Sequence, residues 1–167
     1  MQRDRGQRRR GFTLMEVLVV LAIVAILAAI ALPSMQGSIV RDQIVTAAPL
    51  VEVAKKPVAT IWTATQTFPI DNAEAGIPPA EKIVNNHIRS VAIENGAIHV
   101  TFGNNAHKAI DGRILTFRPA VVEDAPVVPV TWVCGHAAIP GQMSVKGVNK
   151  TDIPPGMLPF NCQAPAK

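Results

Sequence analysis

One apolar stretch, residues 12–33, constrains this chain more than any other part of its sequence. Every residue from 17 to 32 is apolar, and the only polar side chains before them in this stretch are Thr13 and Glu16. A helix that crosses a membrane needs about 20 such residues, so we predict a transmembrane helix over 12–33. A carboxylate inside such a helix is costly, which makes Glu16 a candidate functional residue.

The residues before this stretch form a short basic leader, MQRDRGQRRRG, at positions 1–11. In an ordinary secretory signal the apolar region precedes the cleavage site and is lost with it, whereas here the apolar region would be kept. One interpretation is a simple signal anchor in which Glu16 lies near the lipid headgroups. The residues at the junction between the leader and the apolar stretch support a more specific alternative.

The junction consists of Gly11, then Phe12-Thr13-Leu14, with Glu16 at the fifth position counted from Phe12. This pattern closely resembles the class III signal of type IV prepilins. The resemblance implies that a prepilin peptidase cleaves between Gly11 and Phe12 and methylates the new amine of Phe12. It also implies two residues that act in filament assembly. Glu16 would neutralise the N-terminal ammonium of a neighbouring subunit, and Pro33 would border a stretch of helix that can lose helicity in the filament.

The net positive charge of the chain comes from the leader. The chain has 16 basic and 12 acidic side chains, of which the leader holds five arginines and one aspartate, so its removal leaves eleven of each. The basic composition is therefore mainly a topology signal that places the leader in the cytoplasm and the remainder outside. We expect a single-pass inner-membrane precursor and, after assembly, an extracellular filament.

Two cysteines, Cys134 and Cys162, face an oxidising compartment in this topology. A disulfide is the expected outcome, because a metal site would need further ligands at short spacing and none is present. Closing the intervening loop should stabilise the fold by about 2–4 kcal/mol.

Beyond the span, an apolar residue recurs every three or four positions, which predicts an amphipathic helix over 34–62. Pro49 and Pro57 can each kink this helix, and Pro57 can end it early; we expect a bent helix that reaches a position near Ile61. A long αβ loop is expected over 65–88, with one short helical turn near Ala80 to Val84. The predicted apolar face comprises Val40, Ile44, Ala47, Val51, Ala54, Val58 and Ile61.

The strongest β signal is the hairpin around Asn95-Gly96, a dipeptide favoured in type I′ turns. Pairing Glu94 with Ala97 places Ile93 opposite Ile98, and His99 then falls on the outward face, where we expect it to be solvated. Two further strands are predicted at 113–118 and 128–133, separated by the segment from Pro119 to Pro126.

The order of these motifs also resembles type IV pilins along nearly the whole chain. The implied fold is α+β: a long N-terminal helix packed on a four-stranded antiparallel sheet in residues 89–134, in a head that spans 34–167. A disulfide-bounded D-region over 134–162 would complete it. The resemblance implies a homopolymer with other pilin subunits, built by the peptidase, an inner-membrane platform protein and an assembly ATPase.

Catalysis and cofactor binding have no support in the sequence, which lacks a G-x-S-x-G motif, a P-loop and a dinucleotide fingerprint. We therefore predict a structural pilus subunit that serves adhesion, twitching motility or DNA uptake, with no enzyme activity, no metal and no cofactor. The alternatives are a minor pilin, a type II secretion pseudopilin, or a displayed module that binds DNA or another ligand. Four dispersed cations are the only basis for DNA binding: Lys108, Arg113, Lys146 and Lys150. The histidines His87, His99, His107 and His136 lack metal-ligand spacing.

Overall fold

The computed structural model describes residues 12–165, without the side chains of residues 31–36. The predicted leader, including Gly11, lies outside the described residues. The chain divides into two units, Met1–Gln36 and Gly37–Lys167, which are described separately below.

Helix α1, Leu14–Thr46, begins in the first unit and ends in the second. Position 33 lies within α1, so the backbone at Pro33 is helical, while its side chain is not described. Over the described residues, no helix combines the length and the apolarity needed to cross a membrane. The membrane span over 12–33 stays a prediction.

The predicted amphipathic helix is divided at Ala47, after which helix α2 spans Ala48–Thr65. Pro49 lies in the first turn of α2, where its missing N–H would have had no partner, so it begins a helix instead of kinking one. Pro57 lies inside α2 without ending it, and the helix continues a turn beyond the predicted end near Ile61. Gln66 ends it in a left-handed conformation, with φ of 56°, and donates its N–H to the Trp62 carbonyl.

The predicted apolar face is confirmed, with its last member, Ile61, partly buried against the core. Val40, Ile44, Ala47, Val51, Ala54 and Val58 are buried. The last buried residue is Trp62, one position beyond the predicted Ile61, because a four-residue step from Val58 continues the face. Trp62 stacks on Phe68, with ring centroids 4.6 Å apart, and this contact holds the start of the αβ loop against the helix.

An antiparallel sheet packs against α2 through its first two strands. The predicted hairpin register is confirmed, since Glu94 pairs with Ala97 and Ile93 with Ile98. The strands are β1 Ile88–Glu94, β2 Ala97–Phe102, β3 Ile114–Val121, β4 Thr131–Cys134 and β5 Ser144–Val145. Their order in the sheet is β1-β2-β3-β4, and the short strand β5 pairs with β3.

Strand β3 runs through Pro119, although the sequence predicts that the strand ends before this residue. Proline has no N–H to donate to a neighbouring strand. None is needed at Pro119, because β2 pairs with β3 only as far as Phe117 and β5 begins to pair with β3 at Ala120. Pro119 thus lies between the two neighbours on that side, and its carbonyl accepts the Lys146 N–H at 2.9 Å. Strand β4 correspondingly begins at Thr131, three positions later than predicted.

The buried side chain of Asn72 attaches the αβ loop to the free edge of β1. Its amide group donates to the Val91 carbonyl at 3.0 Å and to the Pro78 carbonyl at 2.9 Å, and its oxygen accepts the Ile93 N–H at 2.7 Å. These bonds occupy backbone groups that an edge strand otherwise offers to another chain. A 3-10 helix at Ala80–Lys82 follows, within the predicted helical turn.

Candidate functional site

The first turn of α1 is closed by Thr13, directly before the helix. The Thr13 hydroxyl accepts the Glu16 N–H at 3.3 Å, and the Thr13 carbonyl accepts the Val17 N–H at 3.2 Å. The spacing Thr13-Leu14-Met15-Glu16 is that of a capping box, in which threonine caps the helix and glutamate lies three residues later. Our sequence reasoning missed this role, although the spacing was a sufficient signal for it.

Glu16 therefore occupies a fixed position in the first helical turn, where the partial positive charge of the helix N-terminus favours a carboxylate. It is exposed and shares a groove with the apolar side chains of Phe12, Val17 and Val20. Among the described residues, no cation lies within salt-bridge distance of the Glu16 carboxylate. The carboxylate is thus available to a cation from outside this part of the chain.

The described side chains of the first unit are exposed all around the helix, although nearly all are apolar. An exposed apolar surface of this extent indicates a surface that lipid or another protein covers. Its large members are exposed by between 46% and 77%: Leu14, Met15, Val17, Leu18, Val19, Val20, Leu21, Ile23, Val24, Ile26, Leu27 and Ile30.

The predicted disulfide is present in the second unit. Cys134 at the end of β4 is bonded to Cys162 in the 3-10 helix Phe160–Cys162, with a Cα–Cα distance of 4.6 Å. His136 donates its N–H to the Cys162 carbonyl at 2.9 Å, and Gly135 lies so close that a Cβ there would be 2.8 Å from the same oxygen. The disulfide thus joins the C-terminal tail to the last long strand of the sheet.

Removing the disulfide should lower the free energy of unfolding of this unit by about 2–4 kcal/mol, because the loop of 28 residues gains freedom in the unfolded state. The change is Cys134→Ser together with Cys162→Ser, measured by denaturant unfolding of the full chain in detergent. As a control, reductant should lower the stability of the wild type to that of the double variant and leave the variant unchanged. Equal stability of the two oxidised proteins would contradict the expectation.

The prediction that His99 is a solvated surface residue is wrong. His99 lies on the face of the sheet opposite α2, as expected from alternation, but it is only 5% exposed. The C-terminal part of the chain covers that face: the Lys150 N–H donates to the Thr116 hydroxyl at 3.0 Å, and Thr116 contacts His99 Nδ1 at 3.0 Å. Alternation along a strand identifies the face of a residue but not what covers that face.

The other three histidines each have separate neighbours and do not form a common site. His87 contacts the Asn86 side chain, His107 accepts the Ala109 N–H, and His136 lies beside Asn149. Within residues 12–165, no group of three potential ligand residues is arranged to hold a metal ion.

The four cations considered for DNA binding are largely engaged with the protein itself. Lys146 pairs with Glu123 at 2.6 Å, and Lys150 pairs with Glu94. The Arg113 guanidinium donates to the carbonyls of Ala109 and Asp152. These partners compete with phosphate, so the structure does not favour the DNA-binding alternative.

Comparison with known proteins gives consistent matches over both units. Residues 40–163 match the Pilin family of bacterial filament proteins, and residues 6–32 match the prokaryotic N-terminal methylation motif. A type IV major pilin protein PilE of Neisseria gonorrhoeae is 36% identical, over 77% of this chain and 75% of its own length. A PilE1 protein of the same species is 32% identical over 93% of this chain and 87% of its own length. The fimbrial protein EcpC of Eikenella corrodens is 34% identical over 79% of this chain and 86% of its own length.

The N-terminal helix, the antiparallel sheet and the disulfide-closed tail define an α+β filament subunit of the pilin class, confirming the predicted fold. The chain belongs to the type IV pilin family. It is accordingly a structural protein that polymerises with other pilin subunits, and not an enzyme. The family and the methylation motif imply a membrane-anchored precursor and an extracellular pilus.

Proposed function

We propose that this chain is a major structural subunit of a type IV pilus and that its helix from Phe12 to Pro33 forms the filament core. The observation that carries the proposal is the exposed apolar surface of α1 with one carboxylate in its first turn. Lipid can cover that surface in the precursor, and equivalent helices of other subunits can cover it in the filament. Because apolar packing is non-directional, the single charge can supply the register between helices.

The first chemical step is removal of the leader. A prepilin peptidase cuts after Gly11 on the cytoplasmic side and methylates the new Phe12 amine. The methylation-motif match over residues 6–32 supports this, since it contains both residues. Phe12 lies before the first helical residue, Leu14, so that its amine is not used in the hydrogen bonds of the helix.

Assembly then pairs Glu16 with the Phe12 ammonium of a neighbouring subunit. A carboxylate that loses water in the filament core needs a partner of opposite charge, and a methylated ammonium retains its charge. Pro33 lacks an amide hydrogen, which permits a local loss of helicity as the helices pack. A platform protein and an assembly ATPase supply the energy for extraction from the inner membrane.

The relatives named as major pilins favour a major subunit over a minor pilin or a secretion pseudopilin. The Cys134–Cys162 disulfide also supports a pilin. Adhesion and twitching motility are functions compatible with such a filament, as is DNA uptake.

Mass spectrometry of sheared surface fibres tests this function directly. We expect electron microscopy to show thin filaments, and their main protein to be this chain, beginning at N-methylated Phe12 and containing the intact disulfide. Fibres in which the chain is absent or scarce would contradict the role of major subunit. A chain that begins at Met1 would contradict the cleavage site.

A further inference from the structure

The outer face of the sheet carries a group of four polar side chains, two of them buried, that the filament function does not use. Its centre is His99 on β2, which is 5% exposed. Thr116 on β3 lies beside it, Glu94 lies at the end of β1, and Lys150 lies on the segment that crosses over them. We define the latch segment as residues 144–152.

The latch segment follows the outer face closely. It begins with β5, and the Lys146 N–H donates to the Pro119 carbonyl. Gly147 then touches β2: its φ is +80°, and a Cβ there would lie 2.5 Å from the Cβ of Ala97. The segment ends beside β3, where the Asp152 N–H donates to the Ile114 carbonyl at 3.1 Å. His99 lies beneath the middle of this path.

The hydrogen bonds around Thr116 are compatible with a neutral His99. The Thr116 hydroxyl accepts the Lys150 N–H, so its own proton is free to be donated to His99 Nδ1 at 3.0 Å. An acceptor Nδ1 means a neutral imidazole whose proton is on Nε2. Protonation of Nδ1 would leave the hydroxyl proton of Thr116 without an acceptor in a buried place, which is unfavourable.

Of the two charges beside His99, the Lys150 ammonium also disfavours its protonation, whereas the Glu94 carboxylate acts against this effect and is outweighed. The Lys150 ammonium repels an imidazolium, and Glu94, the carboxylate facing His99, is already paired with Lys150. Glu94 Oε2 is 3.9 Å from His99 Nε2, beyond hydrogen-bond distance. Burial and, after it, the Lys150 charge lower the pKa of His99 below its ordinary value of 6.5. His136, which lies beside Asn149, is the other histidine in contact with the latch segment.

We propose that neutral His99 holds the latch segment closed and that acidification releases this segment from the outer face of the sheet. The direction of the pH dependence follows from the linkage between proton binding and closure. Because the closed form binds a proton less readily than the open form, closure is fully favoured above pH 6.5 and weakens as the pH falls below it. Glu94 does not account for such a response, because its hydrogen bond with Lys150 lowers its own pKa below 4.5.

Hydrogen exchange on the full-length chain in detergent tests the latch at about pH 7.5 and about pH 5, after correction for the intrinsic pH dependence of exchange. The protection factors of the Lys150 and Asp152 amides should fall at the lower pH. The protection factors can fall by about 30-fold, because the ratio of protonated to neutral imidazole is of that size at about pH 5 for an exposed histidine with a pKa near 6.5. Amides of the β1–β2 hairpin, such as Ile98, should keep their protection.

Variants of three residues separate the latch from a general effect of acid. In His99→Gln, whose new side chain stays neutral, the protection factors should not fall at the lower pH. In His136→Gln they should fall as they do in the wild type. Lys150→Met removes the repelling ammonium and frees Glu94 to pair with an imidazolium. The loss of amide protection at the lower pH should therefore be smaller in this variant.

Three results would each overturn the proposal: equal protection of the wild type at both pH values, an undiminished response in His99→Gln, or loss of the response in His136→Gln. If His99→Gln does not fold, the NMR titration of His99 in the wild type decides. Its apparent pKa must lie below the ordinary histidine value of 6.5, and an equal or higher value would refute the latch.

Discussion

Replacing Glu16 with alanine should abolish surface pili while leaving the leader cleaved. In the proposed filament the methylated ammonium of a neighbouring Phe12 has Glu16 as its partner in an apolar environment. Removing one member of a buried ion pair costs about 3–5 kcal/mol, because the other charge remains without compensation. Every subunit contact in the polymer would incur this cost, so we expect no filaments in electron microscopy and processed subunits in the membrane fraction.

Two matched variants test whether charge is the reason. Glu16→Gln keeps the shape of the side chain and the backbone N–H that donates to the Thr13 hydroxyl, but removes the charge, so it should also abolish pili. Glu52→Ala removes an exposed helical glutamate that pairs with Lys55 at 3.0 Å, and should leave filaments intact. Normal pili in Glu16→Gln would contradict neutralisation of the ammonium as the role of this residue.

Replacing Gly11 with valine should block removal of the leader. The proposed peptidase site accepts little beyond a hydrogen atom at the residue before the cut, and the two methyl groups of valine would not fit. We expect a full-length precursor on a gel, no N-methylated Phe12 by mass spectrometry and no pili.

The control for this prediction is Gly6→Val, which makes the same change elsewhere in the leader and should be processed like the wild type. Efficient cleavage of the Gly11→Val chain would contradict the assigned site. Because Glu16→Ala is expected to give processed subunits and Gly11→Val unprocessed ones, the two variants distinguish assembly from maturation.

Local patterns in the sequence were sufficient for the parts of the fold that depend on neighbouring residues. Asn95-Gly96 defines a two-residue turn, and the turn fixes the register of Ile93 with Ile98. The three- and four-residue spacing of apolar residues identified the buried face of the helices, apart from the last step to Trp62. The same kind of pattern, a threonine three residues before Glu16, held the information for the helix cap that was overlooked.

Features that depend on distant parts of the chain were mispredicted or missed. The sequence predicts that β3 ends before Pro119, but β5, more than twenty positions later, begins to pair with β3 beyond the point where β2 stops, so no neighbour on that side needs an N–H from the proline. Asn72 looked like one polar residue in a loop, yet it satisfies the backbone of β1 at Val91 and Ile93. No short-range pattern indicates such a partner.

The sequence by itself determined the class of this protein, since the Gly11-Phe12 junction, Glu16 and the apolar run belong to one short segment whose chemistry can be read without a fold. It also determined that Cys134 and Cys162 would pair. Only the tertiary structure decided what lies over the outer face of the sheet and, with it, the state of His99. Burial and hydrogen bonding are properties of groups brought together from far apart in the chain, and the alternation of a strand contains no information about them.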